Sequence, residues 1–231
     1  MFHGIEKSYT DAMIRALRAA QQTLFETPVH EAISRSHVLH KGDTLGLDQR
    51  PENAITAALT KFDPYCVTIT EERGAVNPFF TKGSVELQGA RTFFCCDPFD
   101  RSNQACDFLQ KHGKTGERVI DIVRDPKVKK NWEKEYRAPL SITSSTSAIS
   151  CIRRGLPIGA VILNHFAEEM TLACPAGIYH TKLPRDLSAP VNLDYIQERG
   201  KGLKFLQPIH DRERRIVTFI GKPDRGYPAN S

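Results

Sequence analysis

The sequence lacks any run close to the roughly 18 consecutive apolar residues that a membrane-spanning helix needs, so no membrane partner is expected for its 231 residues. Its opening, MFHGIEKSYTDAM, has no basic stretch followed by an apolar core, so no signal peptide is expected and a cytoplasmic location is the default. There is no C-x-x-C pair. The six cysteines stand at 66, 95, 96, 106, 151 and 174, a spacing that suits neither a zinc ribbon nor a disulfide framework, and they read as buried free thiols. No purely basic stripe occurs either. The net charge of +5 is mild, and the densest runs, RDPKVKKNWEKEYR at 124–137 and DRERR at 211–215, mix acids with bases as a solvated helical face does. That argues against nucleic-acid binding, while a mildly basic surface suits a small anionic substrate. No repeat or low-complexity segment is found. With 40% hydrophobic and 26% charged residues, what remains is an ordinary globular composition, enough for one large domain or two small ones.

What the chain does have is clear patterning. Tyr9, Met13, Ala16, Leu17, Ala20 and Leu24 recur at three- and four-residue steps and predict an amphipathic helix over 5–26. HKGDTLGLDQR then reads as a loop or short hairpin. Pro51 suits the first position of a second helix, with Ala54, Ile55, Ala58, Leu59 and Phe62 on its buried face. YCVTIT (65–70) and ARTFFCC (90–96) predict strands, each running into acids. RSNQACDFLQKHG predicts a short helix, and residues 114–138, charged and without strong periodicity, an excursion over the surface. From Pro139, three strands of an antiparallel meander are predicted, PLSITSSTSAISCIRRG, LPIGAVILNHF and EEMTLACPAGIYH. Only short apolar pieces follow in 181–231.

Acids at the carboxyl ends of neighbouring strands can meet in space although far apart in sequence, and open α/β sheets place ligands there. Asp97 and Asp100 in DPFD, with Glu71 at the end of the preceding strand, are oxygen donors of the kind Mg²⁺ takes, and Phe99 between them would offer its carbonyl. Such a cluster could activate water and neutralise a leaving phosphate. Each motif alone has a plainer reading: a turn with Asp100 or Ser102 capping the next helix, a solvated Glu71-Glu72 strand end, and a helix start at DQRPE. The functional reading rests on their combination and order.

In that order, DQRPENAI (48–55), TITEE (68–72), DPFDRS (97–102) and GLPIGAVILNHFAEEMTLACPAGIYH (155–180) resemble the motifs of the inositol monophosphatase-like, lithium-sensitive phosphatases, a superfamily that also holds the fructose-1,6-bisphosphatases. The resemblance covers residues 5–180. It implies an α+β fold, the N-terminal portion of a layered sugar-phosphatase architecture with two helices packed on a mainly antiparallel sheet. It further implies a Mg²⁺-dependent phosphomonoesterase acting on a small phosphorylated metabolite, a sugar or inositol phosphate, with two or three ions. Glu71 would be a catalytic ligand shared between metal sites, Asp97 the bridging carboxylate, Phe99 a carbonyl donor and Asp100 the second aspartate ligand. Ser102 would activate the attacking water together with Asp48 and touch the substrate. Lys41 would stand for a substrate-binding loop lysine, and Glu72 replaces Glu71 if the register shifts by one.

The chain departs from the family pattern twice. Arg101 stands where the family keeps a glycine that lets backbone N–H groups approach the phosphate; a guanidinium there would contact the phosphate itself or obstruct the site. The family's later Trp-Asp motif is also missing: the single tryptophan is Trp132, followed by Glu133 in another region. The expectation is therefore a domain over 1–180, with 181–231 a tail or diverged start of a second half, a weakened second metal site, Asp211 or Asp224 as substitute ligands, and a homodimer covering the exposed edge. A catalytically inactive binding or assembly module is the alternative reading.

Overall fold

A computed structural model of the chain describes residues 4–36, 44–76, 90–137 and 145–203. The predicted first helix is α1 (Gly4–Glu26), buried along one stripe from Met13 and Leu17 to Leu24 and Phe25. A single turn, α2 (Val29–Ala32), leads to the short hairpin of β1 (Arg35–Ser36) with β2 (Thr44–Leu45). Helix α3 (Gly46–Phe62) then starts five residues before Pro51, which corrects the predicted first-position proline. Gly46 allows the early start, because a Cβ there would lie 2.2 Å from the Glu31 carbonyl oxygen. The cost is local: Pro51 has no N–H to give the Leu47 carbonyl.

The remaining strands are β3 (Val67–Thr70), β4 (Gly74–Val76), β5 (Thr92–Asp100), β6 (Thr146–Arg153), β7 (Leu156–Asn164), β8 (Glu169–Cys174), β9 (Gly177–Lys182) and β10 (Lys201–Leu203). They form one eight-stranded sheet in the order β10-β9-β8-β7-β6-β5-β3-β4. Within it only β3 and β5 run parallel among the described residues, so the fold is α+β with a mainly antiparallel sheet. The last predicted strand is in fact two, because Pro175 and Ala176 turn the chain between the paired Cys174 and Gly177, and a proline cannot continue the ladder as a donor.

Two apolar clusters hold the molecule. In the first, α1 and α3 cover one sheet face through alternate residues: Phe94 and Cys96, Ile149 and Cys151, Val161 and Leu163, Met170 and Leu172. Leu183, Val191, Leu193 and Ile196 belong to it as well, the last two on α7 (Leu193–Arg199). The second gathers the end of α1 with three further helices, α4 (Ser102–His112), α5 (Val119–Val123) and α6 (Pro126–Tyr136). Residues 119–136, read from sequence as surface excursion, thus supply five buried residues of this second cluster, Val119, Ile122, Val123, Val128 and Trp132. Trp132 is 1% exposed and its ring centroid lies 4.3 Å from that of Phe108. Helix α6 buries only Val128 and Trp132, too few apolar residues for a visible period. All six cysteines are free, four of them buried, and among the described residues no helix is long and apolar enough to cross a membrane.

Candidate functional site

The parallel pairing of β3 with β5 brings the acids together. Thr70 is the register partner of Cys96, so the next residues along, Glu71 just past the end of β3 and Asp97 still within β5, stand side by side on two neighbouring strands. Strand β5 does not stop at Cys96 as predicted but continues to Asp100. Its pairing with β6 shifts on the way: Asp97 faces Ala148 and Asp100 faces Thr146, leaving Pro98 and Phe99 opposite Ser147. This bulge breaks the period-two alternation that would otherwise fix the relative aim of the two aspartates. Phe99 turns inward at 4% exposure and anchors the motif in the second cluster.

A cleft of about 550 Å³ opens where these elements meet. Asp48, Glu71, Phe99, Asp100, Arg101 and Ser102 all line it, six of the residues picked out from sequence. Asp97 does not; it borders a shallower depression of about 520 Å³ on the open sheet face, which Glu71 also borders. Lys41, Asp211 and Asp224 lie outside the described residues. The cleft also takes in Glu72, Asn103, Gln104 and Asp107. Of these, Asn103, Gln104 and Asp107 were missed by the sequence reading, although their spacing of three and four puts them on one face of α4. Sequence alone did not say that this face turns toward the acids.

Local chemistry holds several of these groups in place. Asp48, the third residue of α3, accepts the Leu45 N–H at 3.3 Å, and its position at a helix N-terminus favours the carboxylate. Glu72 is buried and accepts the Thr44 hydroxyl at 2.8 Å, whereas Glu71 is exposed toward the cleft. Glu52, fully buried behind them, accepts the Thr70 hydroxyl and lies 3.2 Å from Arg73 Nε. Burial pushes its carboxyl above the usual range, against the opposing pull of Thr70 and Arg73. Arg101 precedes α4 at φ 65°, ψ 33°, a left-handed conformation that favours glycine. Its Nε lies 3.9 Å from Asp100 Oδ2, both side chains being well exposed. The first turn of α4 carries no acid, so its free N–H groups present a positive helix end to the cleft.

The donors here are oxygen atoms, the set a hard divalent cation takes with one or two carboxylates and retained waters. In that respect they fit a bound Mg²⁺. Among the described residues, however, no three acidic, histidine or cysteine side chains are grouped so as to hold a metal ion.

No family model matches the chain, and no curated protein matches it. Among solved structures it is similar to CysQ from Bacteroides thetaiotaomicron, a bacterial member of the inositol monophosphatase family, at 17% identity and a TM-score of 0.49 over 92% of this chain and 65% of that one. It is similar to extragenic suppressor protein SuhB from Bartonella henselae at 17% identity and a TM-score of 0.45, covering 73% of this chain and 49% of that one. Leishmania major fructose-1,6-bisphosphatase gives 11% identity and a TM-score of 0.45 over 76% and 50%. The chain thus spans less than two thirds of the length of each, and likeness this distant assigns neither an activity nor a substrate.

Proposed function

We propose that this chain is a Mg²⁺-dependent phosphomonoesterase of the inositol monophosphatase-like superfamily, acting on a small sugar or inositol phosphate. The observation that carries the reading is that DQRPE, TITEE and DPFDRS, three motifs far apart in sequence, contribute Asp48, Glu71, Asp100, Arg101 and Ser102 to one cleft. Asp100, the Phe99 carbonyl and Glu71 in the cleft are the groups that would hold Mg²⁺, and Asp97 would join them through Glu71, which borders both its depression and the cleft. When bound, the ion supplies water activation and charge neutralisation at phosphorus.

The chain's own residues do the rest. The N-terminus of α4 and the Arg101 guanidinium receive the phosphoryl oxygens. Ser102 Oγ, on the first residue of that helix, orients the attacking water. Asp48, positioned at the start of α3 by the Leu45 N–H, takes the proton released. Phe99, buried behind the acids in the second cluster, anchors the loop that carries them.

Phosphate release from a panel of sugar and inositol phosphates, with and without Mg²⁺, tests the reading. Asp100→Asn should lower a Mg²⁺-dependent rate on the order of a hundredfold, since even outer-shell partners of a metal cost 10–100-fold. Activity that survives the substitution overturns the assignment. A second reading, an inactive binding module, is favoured by Arg101 in the glycine position and by the absence of a grouped metal cage among the described residues. It predicts no Mg²⁺-dependent release on any substrate and no heat of Mg²⁺ binding.

A further inference from the structure

His165, just past the end of β7, is fully buried and is used by nothing described so far. Its backbone is held from two sides: its N–H donates to the Ser145 carbonyl at 3.0 Å, and its carbonyl accepts the Gln21 side-chain amide at 3.2 Å. Its ring lies against Phe99, with centroids 5.1 Å apart. Its Nε2 is 2.5 Å from Ser147 Oγ, and that hydroxyl in turn donates to the Pro98 carbonyl. Ser147 is the residue opposite the register shift in β5.

These contacts decide the tautomer. Ser147 has one hydroxyl proton and spends it on Pro98, so its oxygen can only accept from the ring; Nε2 carries the hydrogen and Nδ1 is bare. Nδ1 is buried and makes no hydrogen bond among the described residues. The bulge needs such a support. Pro98 has no N–H, and its carbonyl has left the ladder; an unmet buried carbonyl would let the two-residue loop relax. Asp97 and Asp100 are the two ends of that loop.

We propose that His165 is a positioning residue for the acidic loop, acting through Ser147 on the Pro98 carbonyl to set the relative aim of Asp97 and Asp100. The functional part of this inference rests on the phosphatase reading; the mechanical part does not.

Two measurements separate the parts. Amide hydrogen exchange over residues 97–101 without metal reads the loop alone. His165→Phe keeps a ring but no donor, and Ser147→Ala breaks the relay. Each should speed exchange there about tenfold, with the double variant no worse than either single one, because they cut one chain. His165→Gln, whose amide can donate in place of Nε2, should restore slow exchange. Titration of the same proteins with MgCl₂ by calorimetry should show binding weakened about tenfold or more in His165→Phe and Ser147→Ala and recovered in His165→Gln. Unchanged exchange in His165→Phe, or a glutamine no better than phenylalanine, overturns the relay. If the wild-type protein binds no Mg²⁺, the phosphatase reading fails while the exchange result still decides the relay. Should a variant not fold, ¹⁵N NMR of the wild-type imidazole decides instead: a bare Nδ1 supports the relay, and a protonated Nδ1 overturns it.

Discussion

Arg101 stands in a backbone conformation that costs an ordinary residue about 1–2 kcal/mol, at φ 65°. That geometry gives a backbone reason for glycine at this point of the motif, beyond close approach to phosphate. Its 3.9 Å contact with Asp100 is between exposed side chains and offsets little of the strain. Arg101→Gly is therefore expected to raise stability by about 1 kcal/mol, read as a higher urea midpoint with unchanged slope, whereas Arg101→Ala gains nothing. His165 governs a different dependence. Burial lowers its pKa from 6.5 to about 3, so between those values the unfolded chain holds a proton that the folded one does not. Stability then rises with pH across that interval, and is lost as pH falls from 6.5 toward 3. The denaturation midpoint should drop from about pH 7 to about pH 5, and His165→Gln should flatten that part of the profile.

Among the elements, those with a full amphipathic stripe were legible and those with a short one were not. Helix α1 buries eleven residues along its length, and a signal of that size survives any tertiary context. Helix α6 buries two, separated by one turn, under a coat of lysines and glutamates. Its partner surface on α4 and at Phe166 is what makes it part of a core. Trp132 carries that contact, with Phe166 at 5.4 Å in an edge-on arrangement. Trp132→Ala should cost about 3–5 kcal/mol by chemical denaturation, as expected for deleting a fully buried aromatic. A solvated surface helix, the sequence reading of this segment, would lose little.

For the whole molecule, α1 runs through both apolar clusters: Leu17 and Ala20 belong to one, Leu24 and Phe25 to the other. A helix shared in this way should make the clusters unfold together. The single tryptophan reports on the second cluster. Leu172→Ala, deep in the first, should shift the fluorescence transition of Trp132 and the far-ultraviolet circular dichroism transition by equal amounts. Separate transitions would show two independent units. By itself the sequence determined the helix periods, the alternating sheet face and the three acidic motifs, because each is a local pattern written in side-chain type and spacing. Only the tertiary structure decided that β3 and β5 pair in parallel, so that Glu71 and Asp97 stand side by side, and that a bulge opposite Ser147 divides Asp97 from Asp100 between two depressions. Strand pairing and register depend on partners distant in the chain, and no local pattern encodes them.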